Sequence, residues 1–124
     1  MDTRMTHNAA GLLDRIQPLS GDTFNATVLN GSGPIAVEFM SYGCGYCRAV
    51  EPFLQQAAEK LDGKEQIFRV NIDAEPEISA SFEVEGTPTF IMFLGGREMG
   101  RVEGIQPTLA NVMGVVTQPF DIQY

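Results

Sequence analysis

Short apolar runs and longer helical patterns alternate along the chain. Residues 34–41 (PIAVEFMS) form an apolar run with β-branched members after a glycine, which is typical of a buried strand. Residues 44–61 then place apolar side chains every three or four positions, the period of an amphipathic helix, and Asp62-Gly63 ends this pattern. Strand, helix and strand in succession indicate parallel strands joined by a crossover helix.

The second half of the chain continues this alternation and closes with a hairpin. Residues 66–73 predict a strand, and residues 75–84 predict a short helix with a proline in its first turn. Two apolar runs joined by Gly95-Gly96 predict a β-hairpin over residues 87–104. The other predicted elements are a first strand near residues 16–20 and helices at 22–30 and 106–118.

The predicted element order is β-α-β-α-β-α-β-β-α. It indicates an α/β fold with a central mixed β-sheet flanked by helices on both faces. The chain has 124 residues and no repeat or low-complexity segment, so we expect a single domain. Residues 1–11 are polar without clear periodicity, and we interpret them as a flexible or briefly helical N-terminal extension to a domain at 12–124.

Charge and hydropathy exclude several classes of function. The net charge is −8, and no cluster of basic residues offsets it, so we expect no nucleic-acid binding. The acidic charge favours solubility and partners with basic surfaces, and a solvated acidic face with no partner is the alternative. No apolar run approaches the roughly 18 residues of a membrane-spanning helix, so no membrane partner is expected. The N-terminus lacks the apolar core of a signal peptide, which makes a cytoplasmic location the expectation.

Both cysteines lie in the stretch YGCGYCRAVEPF (Tyr42 to Phe53), where a predicted strand turns into the long predicted helix. A helix start stabilises an anion and therefore favours a thiolate at Cys44. Cys47 lies one helical turn further along on the same side, a spacing that allows a disulfide. Gly45 relaxes the turn and leaves Cys44 open to attack.

A structural disulfide and a metal site are two other interpretations of the cysteine pair. A structural disulfide would close a loop of a few residues and would constrain the unfolded chain little. A zinc site needs about four ligands, which the pair and the lone His7 do not supply. Only two chains together could complete a site for zinc or an iron–sulfur cluster. C-x-x-C beside a strand–helix unit favours a redox pair without a metal.

Three blocks in order now resemble the thioredoxin family: VEFMSYGCGYCRAVEP, RVNIDAEPEISASFEVEGTPTFIMFLGG and RVEG. The similarity runs from about Leu19 to Val116. It implies the thioredoxin fold for the domain at 12–124 and an enzyme that reduces disulfides in target proteins by thiol–disulfide exchange. It also implies no bound cofactor and a separate disulfide reductase that regenerates the dithiol.

The resemblance assigns catalytic roles to three residues. Cys44 would be the nucleophile that forms a mixed disulfide with the target, and Cys47 would be the buried thiol that resolves it. Glu38 matches the buried acid of the family, usually an aspartate, and would carry a proton to or from Cys47. A glutamate reaching water at the strand edge is the alternative. Arg69 falls where a lysine often sits near that acid, so it either pairs with Glu38 or lies on the surface.

The resemblance also assigns substrate-binding and supporting residues. Pro88 matches the cis-proline of the family, and Thr87 would offer its backbone to an extended target segment. Gly104 matches a glycine beside the site, where a target backbone approaches closely, although a simple turn glycine is the alternative. Pro52 matches a proline inside the long helix and would kink it.

The chain departs from the family pattern around the cysteines. Gly43 and Tyr46 replace the tryptophan and proline of the usual Trp-Cys-Gly-Pro-Cys run, and the chain has no tryptophan. We expect Tyr42 and Tyr46 to shield the pair instead. Glu83 and Glu85 either rim the site and select basic targets or form a solvated helix end. A thiol oxidant or isomerase on the same fold, and a non-enzymatic scaffold or metal-bridged module, are the alternative functions.

Overall fold

A computed structural model describes residues 6–7 and 13–123. The strands are β1 (Thr6–His7), β2 (Leu13–Asp14), β3 (Gln17–Pro18), β4 (Pro34–Met40), β5 (Gln66–Asn71), β6 (Thr89–Leu94) and β7 (Arg97–Glu103). The helices are α1 (Gly21–Phe24), continued by a π-helical segment (Asn25–Leu29), α2 (Gly45–Leu61), α3 (Pro76–Ser81) and α4 (Leu109–Thr117). None of these helices has the length and apolarity of a membrane span.

Five strands form one mixed sheet in the order β3-β5-β4-β6-β7. The central strand β4 runs parallel to β5 and antiparallel to β6, and β7 pairs antiparallel with β6 at the edge. The predicted alternation of elements and the predicted hairpin are therefore confirmed. In this register Glu38 lies beside Arg69 on one neighbouring strand and beside Phe90 on the other.

The sheet has an apolar cluster on each face because successive side chains of a strand point in opposite directions. Ala36 packs in one cluster with residues of α2 and α4, whereas Val37 and Phe39 pack in the other with Phe24 and neighbouring aromatic rings. Helices thus cover both faces, as predicted. Glu38 alternates with Val37 and Phe39 and therefore lies on the α2 and α4 face.

Two predicted boundaries differ from the structure. The last helix begins at Leu109 rather than near residue 106, because Thr108 caps it by accepting a hydrogen bond from the Asn111 N–H over 3.1 Å. Within the predicted extension, Thr6–His7 pair antiparallel with Leu13–Asp14. The rest of the 1–11 segment lies outside the described residues.

Candidate active site

Cys44 caps the N-terminus of α2, directly after the turn that follows the central strand. Its sulfur accepts a hydrogen bond from the backbone N–H of Cys47 over 3.1 Å. Both cysteines are free thiols; Cys44 is half-buried, whereas Cys47 is only 3% exposed. The helix start therefore presents one sulfur to solvent and holds the second behind it.

The pKa values of the two thiols are shifted in opposite directions. Burial alone raises the pKa of Cys44, but hydrogen bonds from the side chains of Cys47 and Thr87 act against it. The backbone N–H groups of Cys47 and Tyr46 add to these bonds, so the pKa of Cys44 lies below the ordinary thiol value. Burial, followed by the hydrogen bond with Cys44, raises the pKa of Cys47 to about 12. Cys44 is accordingly the thiol that ionises first.

The Thr87–Pro88 segment lies against Cys44. The Cys44 thiol is 3.5 Å from the carbonyl oxygen of Thr87, and the peptide bond between Thr87 and Pro88 is cis. The N–H of Gly104 donates to the carbonyl oxygen of Pro88 over 3.0 Å. Gly104 has φ of +68°, which favours glycine, and the space where a Cβ would stand is open. A chain of contacts thus joins the Cys44 sulfur to the backbone of Thr87, Pro88 and Gly104.

Glu38 is the buried acid on the α2 face of the sheet. It is 1% exposed, and within the described residues neither carboxyl oxygen has a hydrogen-bond partner. Burial, with the charge of Glu51, raises the pKa of Glu38 to about 8, although the charge of Arg69 acts against this rise. The carboxyl group is therefore mostly protonated at neutral pH, and the alternative of a solvated edge glutamate does not apply.

The predicted pairing of Arg69 with Glu38 is wrong. The Arg69 guanidinium donates to Asp14 Oδ2 over 3.1 Å and to Glu51 Oε1. Gln55 Nε2 completes the cluster by donating to both carboxylates, over 2.7 Å to Asp14 and 2.9 Å to Glu51. Arg69 is nevertheless buried, so it is not a surface arginine either. Two charged carboxylates hold the guanidinium more strongly than a neutral Glu38 could.

Three residues of this cluster were not predicted from the sequence: Asp14, Glu51 and Gln55. Glu51 and Gln55 are four residues apart on α2, and their spacing beside the apolar stripe is a signal that could have revealed a polar pair facing the sheet. Asp14 carries no such signal, because its place depends on β3 pairing with β5, which brings it near a residue 55 positions away.

The two tyrosines near the cysteines are exposed. Tyr42 is 65% exposed and Tyr46 is 71% exposed, so both present apolar surface to solvent, and the expected shielding of the cysteine pair stays a prediction. Gly45 is the first residue of α2, and an added Cβ would find its nearest contact at 3.9 Å. Pro52 lies inside α2 with its ring exposed, and the kink expected there stays a prediction.

The acidic residues before the cis-proline are exposed. Glu83 adopts a positive φ of 55°. The hydrogen bond with Glu98 is the main cause that raises the pKa of Arg101, and the charge of Glu83 adds to this rise. The charge of Glu83 thus acts on Arg101 of β7. Glu85 is exposed to solvent two residues before Thr87. Their predicted influence on target choice stays a prediction. In the described parts of the chain, no three His, Cys, Asp or Glu side chains converge as a metal site.

Comparison with known proteins identifies the family. The thioredoxin family model matches residues 15–114. Thioredoxin 1 of Nostoc sp. is 32% identical over 89 residues, which cover 72% of this chain and 83% of that protein. The chloroplastic thioredoxin M2 of Arabidopsis thaliana is 29% identical over 74% of this chain, which spans about half (50%) of that relative's length.

The solved structures agree with this result. A crystal structure of chloroplastic thioredoxin z superimposes with a TM-score of 0.72 and 26% identity, covering 84% of this chain and 93% of that one. The fold is therefore the thioredoxin fold, as predicted, and relatives of this kind support a disulfide oxidoreductase role. With the family match extending over the cysteine pair, the central sheet and the first part of the final helix, this chain belongs to the thioredoxin family.

Proposed function

We propose that this protein reduces disulfide bonds in target proteins by thiol–disulfide exchange through Cys44 and Cys47. The observation that carries the proposal is the half-buried Cys44 sulfur at the start of α2, hydrogen-bonded by the Cys47 N–H over 3.1 Å. This arrangement favours a thiolate, which is the form of cysteine that attacks a disulfide.

The reaction proceeds in two exchanges. The Cys44 thiolate attacks one sulfur of the target disulfide, forms a Cys44–target disulfide and releases the other target sulfur as a thiolate. Cys47, once deprotonated, attacks the Cys44 sulfur, forms the Cys44–Cys47 disulfide and releases the second target thiolate. Two electrons pass from the protein to the target. Because the pKa of Cys47 is about 12, the second exchange needs a base.

Glu38 is the base that we propose for Cys47. Its pKa of about 8 leaves a minor carboxylate fraction at neutral pH, and that fraction can accept a proton from a buried thiol. The charge of Cys44 is among the causes that raise the pKa of Glu38, which supports electrostatic coupling between the acid and the cysteine pair. Glu51 raises and Arg69 lowers the pKa of Glu38, so in this proposal both residues support the base by tuning its acidity.

Target recognition is proposed to use the backbone beside Cys44. Thr87, Pro88 and Gly104 would align an extended target segment, with Tyr46 and Tyr42 supplying exposed apolar contacts. A separate disulfide reductase would return two electrons to the oxidised pair. A cytoplasmic location is part of the proposal, because a reducing compartment favours a dithiol over a disulfide.

Trapping of mixed disulfides tests this proposal. Cys47→Ser should accumulate covalent Cys44–target complexes in a cell lysate, and reduction with dithiothreitol should release them. Cys44→Ser and the double variant are the matched controls and should trap nothing. If Cys47→Ser trapped no more protein than the double variant, Cys44 would not be the nucleophile of a disulfide reductase.

A further inference from the structure

A second cleft lies at the far end of α2 from the cysteines. Its volume is about 570 Å³, within the range of pockets that bind small ligands. The C-terminal end of α2, the start of β5 and the segment around β3 form its walls. Since α2 has 17 residues, this cleft lies roughly 25 Å from Cys44 at the helical rise of about 1.5 Å per residue.

Glu65 lies in the wall of this cleft and has no structural partner. The residue is 4% exposed, and among the described residues no donor reaches either carboxyl oxygen. Burial raises the pKa of Glu65 to about 8. A buried polar group without a hydrogen bond destabilises the fold. Both carboxyl oxygens are enclosed, and no hydrogen bond from the described part of the chain holds them in place, so turning the group toward the cleft breaks none.

The surroundings of Glu65 suit a cation on an apolar stem. Asp62 adds a second carboxylate, and the cleft adjoins the C-terminal end of α2, where the helix dipole is negative. Arg15 is the one basic side chain among the described lining residues. Ala58, Ile67 and Phe68 supply apolar surface, against which a methylene stem can pack while its charged head reaches a carboxylate.

We propose that this cleft binds a primary ammonium or guanidinium group on an aliphatic stem, with Glu65 as its counter-ion. A lysine or arginine side chain of a partner protein and a free alkylamine share this chemistry. The proposal is independent of the cysteine pair.

Binding of the cation is linked to one proton. The protonated Glu65 carboxyl group releases a proton as the cation binds, and an ion pair replaces the neutral group. Affinity should therefore rise about tenfold per pH unit from pH 6 and level off above the Glu65 pKa of about 8. The other charged groups that line the cleft are Arg15 and Asp62.

Titration of the ¹⁵N-labelled protein with n-butylammonium, n-butylguanidinium and the neutral control n-butanol tests the proposal. The two cations should produce saturable shifts of the Gln66 and Ile67 amide signals, should leave the Cys44 and Cys47 signals unmoved, and should bind more tightly at pH 8 than at pH 6. Butanol should bind at least about tenfold more weakly. Equal shifts with butanol, or none with either cation, would overturn the proposal.

The matched variants are Glu65→Gln, which keeps the shape but removes the charge, and Asp62→Asn, which removes an exposed charge. Glu65→Gln should lose at least about tenfold in affinity, and Asp62→Asn should lose less. Unchanged affinity in Glu65→Gln would contradict the proposal. The comparison of butylammonium with butanol in the unmodified protein needs no variant and decides the question even if Glu65→Gln does not fold.

A short peptide with one central lysine separates the two sources of the cation. Tighter binding of the peptide than of n-butylammonium indicates a side chain of a partner protein, because the flanking backbone then contributes contacts. Binding of the alkylamine with an equal or greater affinity indicates a small free amine. Either outcome supports the cation site, whereas failure of both ligands to bind rejects it.

Discussion

The backbone N–H of Cys47 donates a hydrogen bond to the sulfur of Cys44 over 3.1 Å, and the same helical turn that provides this donor buries the Cys47 thiol. The same turn of helix thus gives the two sulfurs different environments. The half-buried sulfur of Cys44 gains stabilisation of its negative charge, while the buried sulfur of Cys47 loses the solvent that would stabilise its own. In the proposed mechanism, the order in which the two cysteines react follows from this turn of helix.

Selective alkylation at Cys44 is the first prediction. Because the pKa of Cys44 is lowered and that of Cys47 is raised to about 12, iodoacetamide at pH 7 should modify Cys44 at least about 100-fold faster. Peptide mass spectrometry after a short pulse measures the ratio. Labelling in urea is the control and should modify both residues equally. Preferential modification of Cys47 in the folded protein would contradict the assigned roles.

The second prediction concerns Glu38. Glu38→Gln removes the proposed base but keeps the shape of the side chain, so resolution of a mixed disulfide at pH 7 should slow by about 100-fold. The alkylation rate of Cys44 should change by less than about threefold, because Glu38 does not hydrogen-bond the nucleophile. Rapid-quench analysis of one turnover on a disulfide peptide measures the resolution rate, and pulsed alkylation measures the reactivity of Cys44.

Glu65→Gln is the matched control for this experiment, because it removes a second buried carboxyl group far from the cysteines. It should leave the resolution rate unchanged. A similar resolution rate in Glu38→Gln and in the unmodified protein, across pH 6 to 9, would show that another base serves Cys47.

The third prediction is a pH dependence of stability. Folding raises the pKa of Glu38 from 4.5 to about 8, so in this window the folded protein holds a proton that the unfolded chain releases. The resulting stability is fully present below about pH 4.5 and is lost as the pH rises toward 8. Relative to Glu38→Gln, the unmodified protein should lose about 2 to 4 kcal/mol in free energy of unfolding from pH 5 to pH 8.

Urea unfolding at several pH values measures this difference. Glu59→Gln, which changes an exposed carboxylate on α2, is the control and should follow the unmodified protein. If the curves of Glu38→Gln and the unmodified protein ran parallel from pH 5 to pH 8, Glu38 would not be held protonated by the fold.

The fold was largely predictable because each element has a strong local pattern. Residues 34–41 form an apolar run, and residues 44–61 have a helical period. A buried strand β4 inside a sheet covered by helices satisfies both patterns. The place of Cys44 at a helix start follows from the boundary between these two patterns. Local pattern and global fold agree at these positions.

The side-chain partners were less predictable. The neighbouring strands do place Glu38 beside Arg69, yet the guanidinium turns toward two other carboxylates that long-range packing brings close. Asp14 is the farther of these two carboxylates in sequence, and the pairing of β3 with β5 brings it close to Arg69. The high exposure of Tyr42 and Tyr46 was not predictable for a related reason, since the sequence does not reveal which way a side chain near a helix start points.

The fourth prediction concerns the buried cluster around Arg69. Arg69→Met should destabilise the protein by about 3 kcal/mol, because it leaves the carboxylates of Asp14 and Glu51 without their cation. Arg101→Met is the matched control, because Arg101 forms a more exposed pair with Glu98, and its loss should cost about 1 kcal/mol or less. Urea unfolding at pH 7 compares the two variants. Equal destabilisation would contradict the structural role of the buried cluster.

The equilibrium redox potential of the Cys44–Cys47 pair against glutathione tests the central claim most directly. A disulfide reductase of this fold should give a value between about −270 and −200 mV, the range between thioredoxin and the glutaredoxins. A value above about −150 mV would contradict the claim and indicate a thiol oxidant. Failure of the pair to form a reversible disulfide would contradict redox function altogether.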